Sequence, residues 1–216
     1  MINGINGVSD INGVSDINGI SDINGISDIN GVSDINGING RYELCFAGSG
    51  GQGVILTSII FAEAALLNGK KAAQSQSYGP EARGGSCLGE TIISNGNIWF
   101  TKITRPDFLL ALTRQSLDQY AGQVRPGGFI LADSELTLPA VDVKYARLPI
   151  LRAACQDVKN PMTANIVAAG AINSLLRLFP DKTLEEAIRR HVPAGTEQIN
   201  LRALEAGRQL VAKAAA

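Results

Sequence analysis

A glycine-rich run, GSGGQG at residues 48–53, constrains the fold of this chain more than any other feature of its sequence. Residues 42–47 before it alternate in polarity and are rich in strand-forming residue types. Residues 54–67 after it are apolar and long enough for about four helical turns. A strand, a glycine turn and a helix in this order are typical of an α/β domain that offers backbone N–H groups and a helix N-terminus to an anion.

The spacing of Gly48, Gly50 and Gly53 is that of a dinucleotide-binding turn. Such a turn also needs an acidic residue about 20 residues later, which binds a ribose hydroxyl. The next predicted strand, residues 71–76, carries amide and hydroxyl side chains at that place instead. A free-standing Rossmann-like enzyme that binds NAD(P) therefore stays open as one alternative, and a structural scaffold whose glycine turn binds nothing stays open as another.

The rest of the chain alternates between strand-like and helix-like segments. Short apolar runs at residues 108–112 and 129–132 are typical of central strands that are covered on both faces, and residues 143–148 predict another strand. Residues 88–94 and 98–102 predict a hairpin around the turn Asn95-Gly96-Asn97. Residues 77–85, with one proline and three glycines, predict a loop that presents its side chains to solvent.

The C-terminal third is predicted to be helical. After the first helix, apolar spacing and helix breakers predict four more helices, at residues 116–123, 163–178, 184–191 and 196–211. Asp181-Lys182-Thr183 is predicted to cap the third of these four. Together with the strands, they predict a Rossmann-like α/β fold, in which helices flank a mostly parallel sheet.

Residues 1–40 differ from the body and are predicted to be a separate tail. Residues 5–37 repeat Ile-Asn-Gly-(Val/Ile)-Ser-Asp with a period of six, which places an apolar residue at every third position and matches neither a helix nor a strand. We expect a low-complexity, mostly disordered tail without catalytic duty, joined to a folded domain at 41–216. A short β-solenoid and an aspartate-rich calcium repeat stay open as alternatives.

Charge and cysteine content exclude several classes of protein. Five of the 20 acidic residues lie in the first 40 residues, which leaves 15 for the rest of the chain against 19 basic residues. That balance is too mild to indicate nucleic-acid binding. Three widely spaced cysteines, Cys45, Cys87 and Cys155, indicate small buried thiols in a reducing cytoplasm. No signal peptide or membrane-spanning run is visible, so we expect a cytoplasmic protein without a membrane partner.

The chain lacks the residues of a complete catalyst. His191 is the only histidine and lies at a predicted helix C-terminus, where a surface or helix-dipole role is expected. Without a second histidine or a cysteine pair, catalytic triads, zinc sites and iron–sulfur sites are excluded, and the sequence predicts no catalytic residue and no metal ligand. What remains is the glycine turn and the loop with Tyr78, Glu81 and Arg83. Arg83 could bind a carboxylate or phosphate, or it could pair with Glu81 to hold the loop.

Five segments of the body closely resemble the gamma subunit of 2-oxoacid:ferredoxin oxidoreductases, especially of the 2-oxoglutarate type. They are GSGGQGVIL at 48–56, QSQSYGPEARGG at 74–85, RPDFLLAL at 105–112, RPGGFILADS at 125–134 and GTEQINLRALEAG at 195–207. The glycine turn is shared across the superfamily, whereas the SYGPEARGG loop resembles the 2-oxoglutarate branch. The repetitive tail lies outside the resemblance.

The resemblance implies a subunit of a larger enzyme that is not catalytic alone. The implied complex decarboxylates a 2-oxoacid on thiamine diphosphate with Mg, passes electrons through iron–sulfur clusters to ferredoxin and transfers the acyl group to coenzyme A. These cofactors are implied to lie on partner alpha and beta subunits and a ferredoxin-like delta subunit, with none held by this chain. The implied duty of this chain is to complete the assembly and to line the substrate or coenzyme A path, with candidates Gly48, Ser49, Gly50, Gly51, Gln52, Gly53, Ser77, Tyr78, Glu81 and Arg83.

Overall fold

The computed structural model describes residues 23–24, 40–79 and 85–215. Seven strands form one mixed sheet in the order β1-β7-β6-β5-β2-β4-β3. The strands are β1 Ile23–Asn24, β2 Arg41–Ser49, β3 Lys71–Tyr78, β4 Ser86–Ser94, β5 Phe108–Ala111, β6 Phe129–Asp133 and β7 Lys144–Leu148. The helices are α1 Val54–Leu67, α2 Arg114–Tyr120, α3 Ile150–Gln156, α4 Ala164–Leu176, α5 Asp181–His191 and α6 Glu197–Ala214.

Four central strands, β2, β5, β6 and β7, run parallel, as the apolar runs predicted. β4 is antiparallel to β2, and β3 is antiparallel to β4, so this side of the sheet is a hairpin. At the other side, the two residues of β1 pair antiparallel with β7. The α/β class, the flanking helices and the helical C-terminal third are confirmed.

The buried strands contribute to two cores because alternate side chains point to opposite faces of a sheet. Leu44, Phe46, Phe108 and Leu110 face a large core that α1, α3, α4, α5 and α6 cover. Cys45, Ala47, Leu109 and Ile130 face a smaller core that includes α2. α4 is the central helix, with twelve of its 13 residues buried. The glycine turn leads from β2 to α1 on the side of the larger core.

The predicted hairpin of residues 88–94 and 98–102 is wrong. Residues 86–94 form β4, but β4 pairs with β2 on one side and with β3 on the other. Both edges of β4 are therefore occupied, so residues 98–102 cannot pair with it. They form an irregular connection in which Trp99 and Phe100 are exposed.

Three local expectations also need correction. Ser77 and Tyr78 end β3 instead of lying in the predicted loop, of which residues 80–84 lie outside the described residues. α5 begins at Asp181, directly after Pro180, without a side-chain cap, so the predicted capping segment is the first turn of the helix. Cys155 is exposed, whereas Cys45 and Cys87 are buried as expected.

The tail expected at residues 1–40 lies almost wholly outside the described residues, which include only 23–24 and Gly40 from this segment. Among the described helices, none has both the length and the apolar character needed to cross a membrane.

Candidate functional site

The glycine turn lies at the carboxyl edge of the parallel strands, where α/β proteins bind their ligands. Gly48 and Ser49 are still part of β2, and the chain turns through Gly51 and Gly53 with left-handed φ values of 95° and 71°. The Ser49 N–H donates to Gln52 Oε1 at 2.8 Å, and the Gln52 N–H donates to the Ser49 carbonyl at 3.1 Å. These bonds hold the turn in one shape.

Packing explains two glycines of the turn, Gly48 and Gly53. A Cβ on Gly48 would lie 2.6 Å from Gln52 Oε1, and a Cβ on Gly53 would lie 2.7 Å from Asn165 Cγ. A Cβ on Gly51 would meet no atom within 4 Å. Gly51 is therefore required by its backbone angle and stands at an open surface.

The N-terminus of α1 is open to a ligand. Its N-cap, Gly53, has no side chain to accept a hydrogen bond, and no acidic residue lies in the first turn. By contrast, α6 begins with Glu197, which accepts from the Gly195 N–H at 3.1 Å, and backbone N–H donation lowers the pKa of this carboxyl. A helix N-terminus without a carboxylate or cap attracts an anion.

A cleft of about 260 Å³ lies beside the turn, between the beginnings of α1, α4 and α6. We call it the helix-side cleft. Gly51 and Gly53 line one side of it. Its other lining residues include the apolar Leu56, Met162 and Ile199 and the polar Asn160, Thr163, Asn165, Thr196 and Asn200. A partly apolar cleft with a few polar groups is the usual form of a small-molecule site.

Asn165, which lines this cleft, carries a buried oxygen without a hydrogen-bond partner. The residue is 2% exposed, and its Oδ1 has no hydrogen-bond partner among the described residues. A buried unpaired carbonyl oxygen costs free energy unless a ligand or water donates to it. The helix-side cleft therefore combines an anion-attracting helix end with a buried hydrogen-bond acceptor.

A second cleft, of about 330 Å³, lies on the other face of the sheet. We call it the α2 cleft, and its lining includes Ser77, Tyr78, Ser86, Gln115 and Tyr120. Tyr78 is 65% exposed, and burial raises the pKa of Tyr120 above its ordinary value. This cleft is polar and carries no cationic side chain in the described part of its wall.

The structure brings the described sequence-predicted residues to one edge of the sheet, with Gly51 and Gly53 at the helix-side cleft and Ser77 and Tyr78 at the α2 cleft. Tyr78 and Gly48 both pair with Cys87, on its two sides, so they lie two strand spacings apart, roughly 10 Å. The Gly50 N–H donates to the Gly85 carbonyl at 2.9 Å and joins the turn to the start of β4. Glu81 and Arg83 lie outside the described residues. Sequence reasoning missed Asn165, although NPMTAN at 160–165 carries the Asn-Pro signal of a helix start.

Cys45 and His191, two titratable residues of the sequence analysis, have defined surroundings in the structure. Burial, together with the neighbouring carboxylate of Glu90, raises the pKa of the Cys45 thiol, which keeps it protonated. His191 ends α5, as predicted, and its Nε2 lies 3.7 Å from Glu63 Oε2. No cluster of His, Cys, Asp or Glu suited to a metal ion occurs within the described ranges.

Replacing Asn165 by leucine should leave the free energy of unfolding within about 1 kcal/mol of the wild-type value, because it removes a polar atom that has no protein partner. Asn173 on the same helix is the matched control: it is 4% exposed, its Oδ1 accepts from the Phe179 N–H at 3.1 Å, and its Nδ2 donates to the Phe179 carbonyl at 3.0 Å.

Asn173→Leu leaves two buried backbone groups unpaired and should cost roughly 2 to 4 kcal/mol. Denaturant unfolding of both variants measures the difference. An equal loss in the two variants would mean that Asn165 Oδ1 has a protein partner after all.

The sequence of this chain is similar to sequences of known proteins. The model of the family described as pyruvate ferredoxin/flavodoxin oxidoreductase matches residues 43–210. The 2-oxoglutarate synthase subunit KorC of Methanocaldococcus jannaschii is 42% identical over 172 residues, which are 77% of this chain and 92% of that protein. The same subunit of Methanothermobacter thermautotrophicus is 41% identical over 180 residues, 79% of this chain and 95% of that protein.

A solved structure shares both sequence and fold with this chain. The gamma subunit of a keto/oxoacid ferredoxin oxidoreductase from Geobacter sulfurreducens is 40% identical and superimposes with a TM-score of 0.73. The match covers 81% of this chain and 98% of that one. The similarity therefore extends over the whole folded body of such a subunit.

Proposed function

The chain belongs to the pyruvate ferredoxin/flavodoxin oxidoreductase family, and we propose that it is the gamma subunit of a 2-oxoglutarate:ferredoxin oxidoreductase. The observation that carries this proposal is the match to 2-oxoglutarate synthase subunits over more than nine-tenths of their length. The relatives are subunits of 2-oxoacid oxidoreductases, so the alternative of a free-standing NAD(P)-dependent enzyme finds no support among them.

In the proposed complex, partner alpha and beta subunits bind thiamine diphosphate with Mg, and iron–sulfur clusters on partner chains carry electrons to ferredoxin. A ferredoxin-like delta subunit completes the assembly. The thiamine cofactor supplies the decarboxylation chemistry. This chain contributes binding surface instead, which agrees with the protonated Cys45 thiol and with a glycine turn that offers backbone N–H groups.

We assign the glycine turn and the helix-side cleft to the coenzyme A path. Coenzyme A carries phosphates, which suit the uncapped N-terminus of α1. It also carries amide groups, which suit the polar lining residues Asn160, Thr163 and Asn200, and an extended arm, which suits Leu56, Met162 and Ile199. Ser77 and Tyr78, which end β3, are assigned to a second part of the substrate or coenzyme A path. Glu81 and Arg83, which lie outside the described residues, are proposed for the same path on the sequence alone.

Reconstitution tests the proposed function. The candidate alpha, beta and delta subunits are coexpressed with and without this chain, and reduction of a viologen as ferredoxin analogue is followed with 2-oxoglutarate, pyruvate and a branched-chain 2-oxoacid. We expect coenzyme A-dependent reduction that is fastest with 2-oxoglutarate and that falls at least about tenfold without this chain, which corresponds to about 1.4 kcal/mol of transition-state stabilisation.

Two outcomes contradict different parts of the proposal. Equal rates with and without this chain would exclude it as a required subunit. A requirement for this chain combined with preference for pyruvate or a branched-chain acid would leave the subunit role standing and exclude the 2-oxoglutarate assignment.

A further inference from the structure

An exposed apolar face with a basic rim lies at the edge of the sheet opposite the glycine turn. It consists of residues 66–71, at the end of α1, and residues 95–105, between β4 and β5; we call it the amino-edge face. Trp99 is 80% exposed, Phe100 79% and Leu66 55%. Two adjacent aromatic side chains this exposed, Trp99 and Phe100, are typical of a surface that another segment covers.

The rim of the amino-edge face carries one sign of charge. Its two segments contain Lys70, Lys71, Lys102 and Arg105 and contain no aspartate or glutamate. Lys70 donates to Asn95 and Lys71 donates to Asn97, so the two segments are held side by side. The nearby Arg41 is already paired with Glu43. An acidic and apolar occupant would therefore complement this face.

The described chain resumes at Gly40, beside this face. The Asn95 N–H donates to the Gly40 carbonyl at 2.7 Å, and Arg41 Nη2 donates to the Phe100 carbonyl at 3.0 Å. At the other end of the segment, Ile23 pairs with Ala146 and Asn24 with Tyr145, antiparallel to β7. Asn24 and Gly40, the described residues that flank 25–39, therefore both lie toward the edge at which β7 and β2 begin.

The composition of residues 25–39 matches the face. They carry two aspartates, no lysine or arginine, and five apolar residues, Ile26, Ile29, Val32, Ile35 and Ile38. We propose that residues 25–39 pack over the amino-edge face, with their aspartates beside its lysines and their isoleucines against Trp99 and Phe100. The tether at Gly40 favours this occupant over a separate chain, because linkage gives a local concentration of roughly millimolar.

Trp99 reports this contact directly because it is the only tryptophan of the chain. The variant Ile29→Asn/Val32→Asn/Ile35→Asn removes apolar residues of the packing segment. The full chain with these substitutions should show a red-shifted Trp99 emission and an acrylamide quenching constant about twofold higher than the wild type, since the indole loses apolar cover.

The repeat supplies a matched control. Ile11→Asn/Val14→Asn/Ile17→Asn makes the same three substitutions in an earlier copy of the same motif and should leave Trp99 emission and quenching at the wild-type values. Charge is tested separately: raising the salt concentration from about 0.05 M to about 0.5 M should increase Trp99 quenching in the wild type, and less in Asp28→Asn/Asp34→Asn, because salt screens exposed ion pairs.

Three results would overturn the assignment. Wild-type quenching equal to that of the Ile29→Asn/Val32→Asn/Ile35→Asn variant would show that the repeats do not cover Trp99. Protection of Trp99 from acrylamide that rises with protein concentration would assign the face to a second copy of the chain. Protection that appears only after purified partner subunits are added would assign it to the complex. Hydrogen exchange of the amides of residues 95–105 gives the same comparison without fluorescence.

Discussion

Gly207→Ala should destabilise the full chain by about 3 to 5 kcal/mol, the upper end of what single substitutions cause. A Cβ at Gly207 would lie 1.9 Å from the Val167 carbonyl oxygen, and one at Gly170 would lie 2.1 Å from the Leu204 carbonyl oxygen. Both obstacles are backbone atoms, so no rotamer change relieves them. α4 and α6 would have to move apart and open the core between them.

The sign of this effect separates tertiary packing from local propensity. In an isolated helix, alanine is favoured over glycine by about 1 kcal/mol, so propensity alone predicts stabilisation by Gly207→Ala. Gly122→Ala is the control, because Gly122 has no heavy atom within 4 Å of its Cβ position and no left-handed φ. It should be neutral or gain up to about 1 kcal/mol.

Thermal and denaturant unfolding of the wild type, Gly207→Ala and Gly122→Ala measure these differences in stability. Gly170→Ala should behave like Gly207→Ala because it meets the other helix at the same crossing. If Gly170→Ala and Gly207→Ala were both as stable as the wild type, the backbones of α4 and α6 would not be in contact where the helices cross.

Local patterns predicted the elements whose formation depends on local chemistry. The apolar runs that became β5 and β6 and the glycine turn between β2 and α1 were found because short apolar runs between turn residues, and glycines between a strand-like and a helix-like run, are local signals. The start of α5 was misplaced because Asp181 suits a cap as well as a first turn, and the preceding Pro180 decides between the two.

Features that depend on distant parts of the chain could not be read from local patterns. The hairpin at Asn95-Gly96-Asn97 failed because β2 and β3 occupy both edges of β4, which no local signal reveals. Gly207 looks like a weak point of a helix until Val167 is seen against it.

The same limit applies to the candidate site. Asn165 reaches the glycine turn because α4 packs against α1, and the two segments are more than 100 residues apart in sequence. The sequence predicted the glycine turn, but the second wall of the helix-side cleft required the structure.

Gly51→Ala should raise the KM for coenzyme A of the reconstituted complex about tenfold, which corresponds to about 1.4 kcal/mol of lost binding. The φ of Gly51 is 95°, and the residue lines the helix-side cleft with open space around its Cβ position. An alanine there strains the turn and places a methyl group where a ligand approaches the backbone N–H groups. Initial rates at varied coenzyme A concentration, with 2-oxoglutarate saturating, give the value.

The control for Gly51→Ala must carry the same backbone strain at another place, and Gly127→Ala meets this condition. Gly127 has a φ of 78° and no atom within 4 Å of its Cβ position, and it lies just before β6, at the opposite edge of the sheet. Both variants should lose about 1 to 2 kcal/mol of stability, but only Gly51→Ala should change the KM. Equal KM values for Gly51→Ala and Gly127→Ala would mean that the glycine turn serves packing alone, because both variants carry the backbone strain and only Gly51 lies at the cleft.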